Sequence, residues 1–522
     1  MLFMLAACGG GSGGDSSSSS ASSSTSSSTS SSVSSSSSSS ASSSVSSSSS
    51  VSAPSALSYP SPQTYGAGTA ITTLTPTVTG VVTSYSVSPS LPPGLLLNAS
   101  SGQLTGTPTT ATANASYTIT AQNSAGSTTF ALSITVNAAT LFWLEPTTST
   151  IIGMGQVINV FSALKNSAAD PYPSYVDPTL ITWTSSNPVF ASINSNGAVI
   201  GLNEGTTTIT AQYQGHSSQL TVQVSGAFIS RNIAVSGQGT RHYSIYVPPF
   251  GSDAGPYPVI VALHGGGGSA MIQASTSQLN KLAHDQKLYV VYLDGTGVIQ
   301  TYNGGSCCGS AQTNNIDDVL YVRTVLDDIE ANYTVNAAKI FATGFSNGGI
   351  MSHRLACAVA DRFAGIAAVS GGSGQFDFNL NQYYACTPAR PIPILHIHAT
   401  NDRNYPFAGG LGEGLSATPF YPIDSTIADW ITRNNLTTQV TTEHVTATTT
   451  CYHYSVIADT SKPSAPVTLC KLDPPDVYDA TNQIVFGGGH SWPGGVRSPA
   501  ANSDVPVTDF NAGSYMWGLF NQ

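Results

Sequence analysis

Lys339-Ile-Phe-Ala-Thr343 followed by Gly344-Phe345-Ser346-Asn347-Gly348-Gly349-Ile350 is the stretch that decides the fold of this chain. The apolar run up to Thr343 reads as a strand, and Gly348 to Ala360 reads as a helix. Between them stands a G-x-S-x-G turn. In a chain with 50 glycines that turn alone is a weak signal, and its place between strand and helix is what makes it specific. A tight strand-to-helix turn forces strained backbone angles and a close approach that a Cβ would obstruct, which explains the flanking glycines. The helix N-terminus behind the turn favours negative charge developing there. Ser346 is therefore the candidate nucleophile.

Working outward, the same alternation of strand and helix runs from about residue 226 to the end. Arg241 to Val247 reads as a strand ended by Pro248-Pro249, Tyr257 to Leu263 and Leu288 to Leu293 as near-continuous apolar strands, and Asp317 to Tyr333 as a helix. Phe363 to Val369 and Pro391 to His398 complete the strands. Strands buried on both faces and separated by helices indicate a mostly parallel sheet of α/β type, and the G-x-S-x-G turn between strand and helix resembles the nucleophile elbow of an α/β-hydrolase domain.

A serine is a weak nucleophile and needs an imidazole base held by a carboxylate, in the chain order Ser, acid, His for this fold. Asp402 lies four residues beyond the strand that ends at His398, in a loop at a carboxyl end, whereas Asp424 and Asp429 fall on an expected helix. His490 follows the run Gln483 to Phe486, read as the last strand, within a Gly-rich loop. His444 and His453 read as surface or strand residues, and His396 and His398 as core or loop histidines. The oxyanion donors expected are the N–H groups of Asn347 and Gly266, the latter in His264-Gly265-Gly266-Gly267-Gly268 after the 257–263 strand. His264 reads as a structural hydrogen-bonder. Trp492 either lines the acyl cleft or packs.

Other chemistries find little support. No HExxH occurs, His396-x-His398 lacks a third convincing ligand, and neither a dinucleotide fingerprint nor a phosphate-binding lysine after the glycines is present. The expectation is an enzyme with no metal and no cofactor. Fifteen basic residues in 522, at a net charge of −11, cannot supply a nucleic-acid-binding stripe. No run of about 20 apolar residues is present. Six of the seven cysteines fall in the catalytic half, as in an oxidising compartment. Cys451 and Cys470 flank a hairpin-like segment and pair. Cys307 and Cys308 are then expected to reach Cys357 and Cys386, in an open order.

The first 225 residues are a different material, with one basic residue (Lys165) and five acidic ones. Residues 11–53 are almost pure Ser, which cannot offset chain entropy and reads as a flexible linker across 9–55. Leu5-Ala-Ala-Cys8-Gly9-Gly10 resembles a bacterial lipoprotein signal (1–8) in which Cys8 is lipidated. Only seven residues precede Cys8 and none is basic, so the true start is expected upstream. Short alternating strands and Gly/Pro/Asn turns then indicate two all-β sandwiches, at 56–138 and 139–225. Leu91-Pro-Pro-Gly-Leu95 with Ser101-Gly-Gln-Leu-Thr-Gly-Thr-Pro108 resembles the cadherin-like Ig modules of bacterial surface proteins. Ile181-Thr-Trp183 to Pro188, Ile193 to Gly197 and Gly205 to Ala211 resemble the group 2 bacterial Ig-like module. Trp143 and Trp183 read as sandwich core rather than a polymer-binding face.

The catalytic half, 226–522, carries Gly304-Gly-Ser-Cys307-Cys308-Gly309, Ile316-Asp-Asp-Val319, Thr343 to Gly349, Arg354-Leu-Ala-Cys357, Cys386 to Pro391, Pro406 to Gly410 and Gly489-His490-Ser-Trp492-Pro-Gly-Gly495. This series resembles the poly(3-hydroxybutyrate) depolymerase/feruloyl esterase-like group, near carbohydrate esterase family 1. The departure is a His264 followed only by glycines, where many relatives carry a larger residue. The resemblance implies a secreted or cell-surface Ser/His/Asp esterase, monomeric and free of cofactor, acting on a polymeric ester. A polyhydroxybutyrate-type polyester is the first expectation. A feruloyl or acetyl xylan esterase is the alternative, and a surface adhesin with a vestigial hydrolase domain is the third.

Overall fold

The computed structural model describes residues 51–522, apart from 69, 138–139, 147–148, 166–173, 306, 374–375, 378–381, 384, 415–418, 475–476, 479–483, 487–488 and 499–503. The expected signal with Cys8 and nearly all of the Ser-rich linker lie outside the described residues, as does the Trp143 side chain.

The first Ig-like module is built on period-two alternation. On the hairpin Thr112–Asn123 and Gly126–Asn137, Tyr117, Ile119 and Ala121 turn inward with Leu132, Ile134 and Val136. The tight turn between them is held by the Asn123 carboxamide oxygen, which accepts the N–H groups of Ala125 and Gly126. Among the described residues the strands of this module pair only with one another.

The second Ig-like module shares its sheet with the hydrolase half. Thirteen strands form that sheet: β1 (Ser149–Met154), β2 (Thr182–Ser185), β3 (Gly205–Tyr213), β4 (His216–Val235), β5 (Gly239–Val247), β6 (Tyr257–Leu263), β7 (Tyr289–Leu293), β8 (Val335–Phe345), β9 (Gly365–Val369), β10 (Ile394–Ala399), β11 (Thr441–His444), β12 (Thr449–Tyr454) and β13 (Val467–Leu472). The spatial order is β2-β3-β4-β5-β7-β6-β8-β9-β10-β13-β12-β11, with β1 parallel to the first part of β4. The 20 residues of β4 pair with β3 through Val224 and with β5 from Ala227, so the boundary expected at 225/226 lies inside one strand.

The sheet is mixed, which narrows the expectation of a mostly parallel one. Its centre, β7-β6-β8-β9-β10-β13, is parallel throughout. The flanking β4-β5-β7 and β13-β12-β11 pairings are antiparallel. The reason is connection length: β12 and β13, like β4 and β5, follow each other closely, and a short link returns a strand antiparallel. Ile484–Phe486, expected as the last strand, pairs instead with Val477–Tyr478 away from the large sheet.

Helices cover both faces of the parallel centre. Val259, Val261 and Leu263 of β6 pack with α3 (Asp318–Asn332), α4 (Asn347–Ala358) and α5 (Ile423–Arg433). Ile260 and Ala262 of the same strand face α1 (Ala270–Ser277), α2 (Leu279–Gln286) and α6 (Ala512–Phe520). Among the described residues no helix is long and apolar enough to cross a membrane. Cys451 is bonded to Cys470 across β12 and β13. Cys357 is bonded to Cys386, their Cα atoms 5.0 Å apart, within ordinary disulfide reach. Each cysteine makes one such bond, so Cys307 and Cys308 are left to each other and are joined as neighbours. This replaces the expectation that they reach Cys357 and Cys386.

Candidate active site

Ser346 stands between the end of β8 and the start of α4, at φ 54° and ψ −117°. Such an angle costs a non-glycine residue about 1–3 kcal/mol and must be held by its surroundings. Here the Ser346 N–H donates to Val369 O at 2.8 Å, and Ser346 O accepts from Ile350 N–H at 3.0 Å. A Cβ on Gly344 would strike the Gly348 carbonyl, and one on Gly348 the Leu263 carbonyl, so the turn closes only with glycine at both positions.

Asp402 follows β10, and its carboxylate is buried. One oxygen, Oδ1, accepts the N–H groups of Asn404 at 2.9 Å and Tyr405 at 2.8 Å. The other, Oδ2, lies 2.8 Å from His490 Nδ1, and His490 Nε2 lies 2.9 Å from Ser346 Oγ. Gly489 lets the two loops meet, since a Cβ there would come within 2.7 Å of Asp402 Cα. The three residues, 56 and 88 positions apart in the chain, thus form one hydrogen-bonded line. Burial by itself would raise the Asp402 pKa, but His490 and His398 outweigh it and hold the carboxyl far below its usual range. Burial would depress the His490 imidazolium, but Asp402 and then Asp504 outweigh that and raise its pKa.

The remaining expected residues group around this line. In the Gly265–Gly268 loop, Gly267 N–H is tied to Gln300 O and Gly268 N–H to Gly265 O. Among the described residues, the Gly266 and Asn347 N–H groups have no hydrogen-bond partner. The loop lies against the serine, since a Cβ on Gly265 would come within 3.3 Å of Ser346 Cβ. His264 is buried, accepts from Gly295 N–H at Nε2 and turns Nδ1 to Gly265 O. Trp492 is buried at 4 % exposure, yet lines a cavity of about 220 Å³ with Gly265 to Gly268, Ile272, Phe345 and His490. Asp424 and Asp429 lie on α5, and His444 and His453 on β11 and β12.

Three contacts were missed by the sequence reading. The Asn347 side chain clamps Tyr302 by accepting its N–H at 2.7 Å and donating to its carbonyl at 2.9 Å. The Asp504 carboxylate accepts His490 N–H at 2.7 Å and so anchors the histidine loop. His398 Nε2 stands 3.3 Å from Asp402 Oδ2. Only the last was within reach, because the spacing of His396 and His398 puts both on one face of a strand that ends at the acid.

Residues 46–137 match the family described as "Putative Ig domain", 156–224 the group 2 bacterial Ig-like domain, and 252–412 the phospholipase/carboxylesterase family. The last match includes Ser346 and Asp402 and stops before His490. Feruloyl esterase B of Piromyces equi is 32% identical over 184 residues, 34% of this chain and 33% of that protein. Feruloyl esterase C of Emericella nidulans is 31% identical over 175 residues, 33% of this chain and 58% of that protein. A bifunctional acetylxylan esterase/xylanase of Neocallimastix patriciarum is 26% identical over 163 residues, 31% of this chain and 21% of that protein. The chain therefore spans about a third to three-fifths of the length of the first two. Among solved structures, the acetyl xylan esterase from Aspergillus awamori aligns at 17% identity and a TM-score of 0.33, over 47% of this chain and 92% of that one. Two segments that match Ig-like modules are thus followed by one, 252–412, that matches the phospholipase/carboxylesterase family.

Proposed function

We propose that this protein is a serine esterase that removes feruloyl or acetyl groups from a plant-wall polysaccharide. The observation that carries the reaction class is the unbroken Ser346–His490–Asp402 line beside the open N–H groups of Gly266 and Asn347. Ser346 Oγ attacks the ester carbonyl while His490 Nε2 takes its proton, and Asp402 keeps the imidazole in the correct tautomer. The two N–H groups receive the oxyanion, and the helix start at Asn347 adds its partial positive charge. His490 returns the proton to the leaving alcohol, and a water then repeats the sequence on the acyl-enzyme.

The named relatives reverse the order of the two substrate readings, since they are feruloyl and acetylxylan esterases. A cavity of about 220 Å³, lined by Phe345 and Trp492, suits one acyl unit. The full chain, secreted or lipid-anchored through Cys8, would work as a monomer on an insoluble polymer.

The test compares the full chain with Ser346→Ala on methyl ferulate, acetylated xylan, a nitrophenyl ester and a polyhydroxybutyrate film. We expect ferulate or acetate release, and a fall of about 10⁴-fold or more in kcat for the variant. Film clearing without either release would restore the polyester reading. Unchanged turnover in the variant would remove Ser346 from the chemistry. The pH profile has a fixed sign as well. His490 must be neutral to act as base and its pKa is raised, so kcat/KM should rise with pH through a midpoint above about 6.5.

A further inference from the structure

Behind Asp402, on the side away from His490, a row of buried side chains crosses three elements. Trp430 of α5 donates its indole N–H to His353 Nδ1 at 3.0 Å. His353 of α4 places Nε2 3.1 Å from His396 Nδ1, and His396 of β10 places Nε2 3.2 Å from His398 Nδ1. His398 Nε2 then reaches Tyr405 O at 2.8 Å and Asp402 Oδ2 at 3.3 Å. None of the four side-chain bearers is more than 1 % exposed.

The two ends of this row fix its direction. An indole nitrogen can only donate, so His353 Nδ1 must accept and His353 carries its proton on Nε2. A backbone carbonyl can only accept, so His398 must carry its proton on Nε2 as well. With all three rings neutral, each Nε2–H donates to the next Nδ1 and no nitrogen is left over. Neutrality agrees with the setting: burial and the Arg433 charge push the His353 pKa down to about 3, and burial pushes His396 down also. Three histidines in contact would repel if charged, and a dry row of them is costly unless every bond is made.

We propose that Trp430, His353, His396 and His398 form a one-way hydrogen-bond relay that positions the Asp402 carboxylate for His490. The relay rests on the reading of Ser346, His490 and Asp402 as a triad. Its last donor, bonded to Tyr405 O, also stands 3.3 Å from the Oδ2 that faces His490. The polar N–H at that distance draws charge from the shared oxygen, and Tyr405, whose own N–H donates to Oδ1, ties the carboxylate to the row. His398, His396, His353 and Trp430 are positioning residues, and none touches substrate.

The consequence is a shift in the base. Without the His398 donor, Oδ2 holds the His490 imidazolium more tightly, and the midpoint of His490 rises. Other ionisable groups facing the line are Asp504 on the His490 side, Arg433 beside His353, and Tyr405, whose ring packs edge-on against His398, and all three stay in place. Three full-chain variants test this: His398→Leu removes the donor, His398→Gln keeps an amide N–H at a similar reach, and Trp430→Phe removes the indole N–H together with part of the buried ring. The readouts are the His490 midpoint by NMR, the acid limb of kcat/KM on a nitrophenyl ester, and Tm. For His398→Leu we expect a midpoint raised by about half a unit and a kcat lower by roughly tenfold. Trp430→Phe should move both the same way by less, and His398→Gln should restore most of each. If the variants lower Tm while the His490 midpoint stays at the wild-type value, the histidines are core packing and the relay is wrong. If His398→Leu does not fold, Trp430→Phe decides by the same midpoint. A wild-type chain that hydrolyses no ester, with the midpoint still moved by the variants, would overturn the proposed function and leave the relay standing.

Discussion

The two Ig-like modules are alike in composition and unlike in attachment. Both are strand-rich and nearly free of charge. Among the described residues the first pairs its strands only within itself. The second lends the hydrolase half part of its sheet, because β4 passes from one domain to the other without a break. It also closes a buried polar row against α2. Gln156 Oε1 accepts Gly153 N–H at 3.0 Å and the Asn280 amide at 2.7 Å, and Asn280 Oδ1 accepts Tyr292 O–H at 2.7 Å. Gln156, Asn280 and Tyr292 are all buried. A charge-poor surface therefore says nothing about whether a module is a tether or a wall of the enzyme. What decides is whether its backbone and buried polar groups are completed by the neighbour.

Truncation is the sharpest way to break that comparison. Removing residues 1–138 takes away the linker and the first module only, and should leave Tm and turnover unchanged. Removing 1–225 takes away β1 to β3, the first ten residues of β4 and the partner of Asn280. It also removes the Ser225 carbonyl that accepts from Tyr246 O–H. Insoluble protein, or a Tm lower by about 10 °C or more, is the expected outcome. A 226–522 fragment with wild-type Tm and turnover would make the second module a spacer like the first.

Gln156→Leu probes the same contact at one residue. It strands the Asn280 amide and the Gly153 N–H in a buried place, at a cost of about 2 kcal/mol by urea denaturation. Asn98→Ala in the first module removes a carboxamide oxygen that accepts from Ser100 and Ser101 N–H in an exposed turn. Its cost should stay within about 0.5–1 kcal/mol, with turnover untouched. Equal costs for the two would erase the distinction between the modules.

What could be read in advance follows a physical line. The Ser346 turn is local, since Gly344, Ser346 and Gly348 constrain one another over five residues. Asp402 and His490 were legible because strand ends and chain order restrict where an acid and a base can stand. The relay from Trp430 to His398 was not, because α5, α4 and β10 meet only through packing, and a lone histidine on an apolar helix carries no mark of its partner. The joining of Cys307 to Cys308 depended on where Cys357 and Cys386 sit, which is again a tertiary fact. The shared strand was hidden for a different reason. The domain boundary expected at 225/226 falls inside what the structure shows to be one strand. Gly226 does take φ 71°, yet pairing resumes at once with Ala227 opposite Val247. A local kink of this kind is a bulge, not an end.

The last comparison concerns how the second module reaches the His490 loop. The loop carrying His490 continues through Gly495 to Arg497, with Val496 N–H donating to Thr276 O at 2.8 Å on α1. The Arg497 guanidinium, only 7 % exposed, then lies 5.1 Å from the centre of the Phe161 ring in the second module. A module with one basic residue of its own thus receives a cation from the hydrolase half on an aromatic face. Such a contact contributes about 0.5–2 kcal/mol when partly desolvated. Arg497→Ala loses this and the other bonds of the side chain, so the single variant overstates the pair. A double-mutant cycle with Phe161→Leu isolates it, and a coupling of about 1 kcal/mol is expected by denaturation. Because the loop is already anchored at Asp504 and Thr276, kcat should fall by no more than about threefold in either variant, which is under 1 kcal/mol of barrier. Zero coupling would mean that the module touches the histidine loop without holding it, and would confine its structural role to β4 and Gln156.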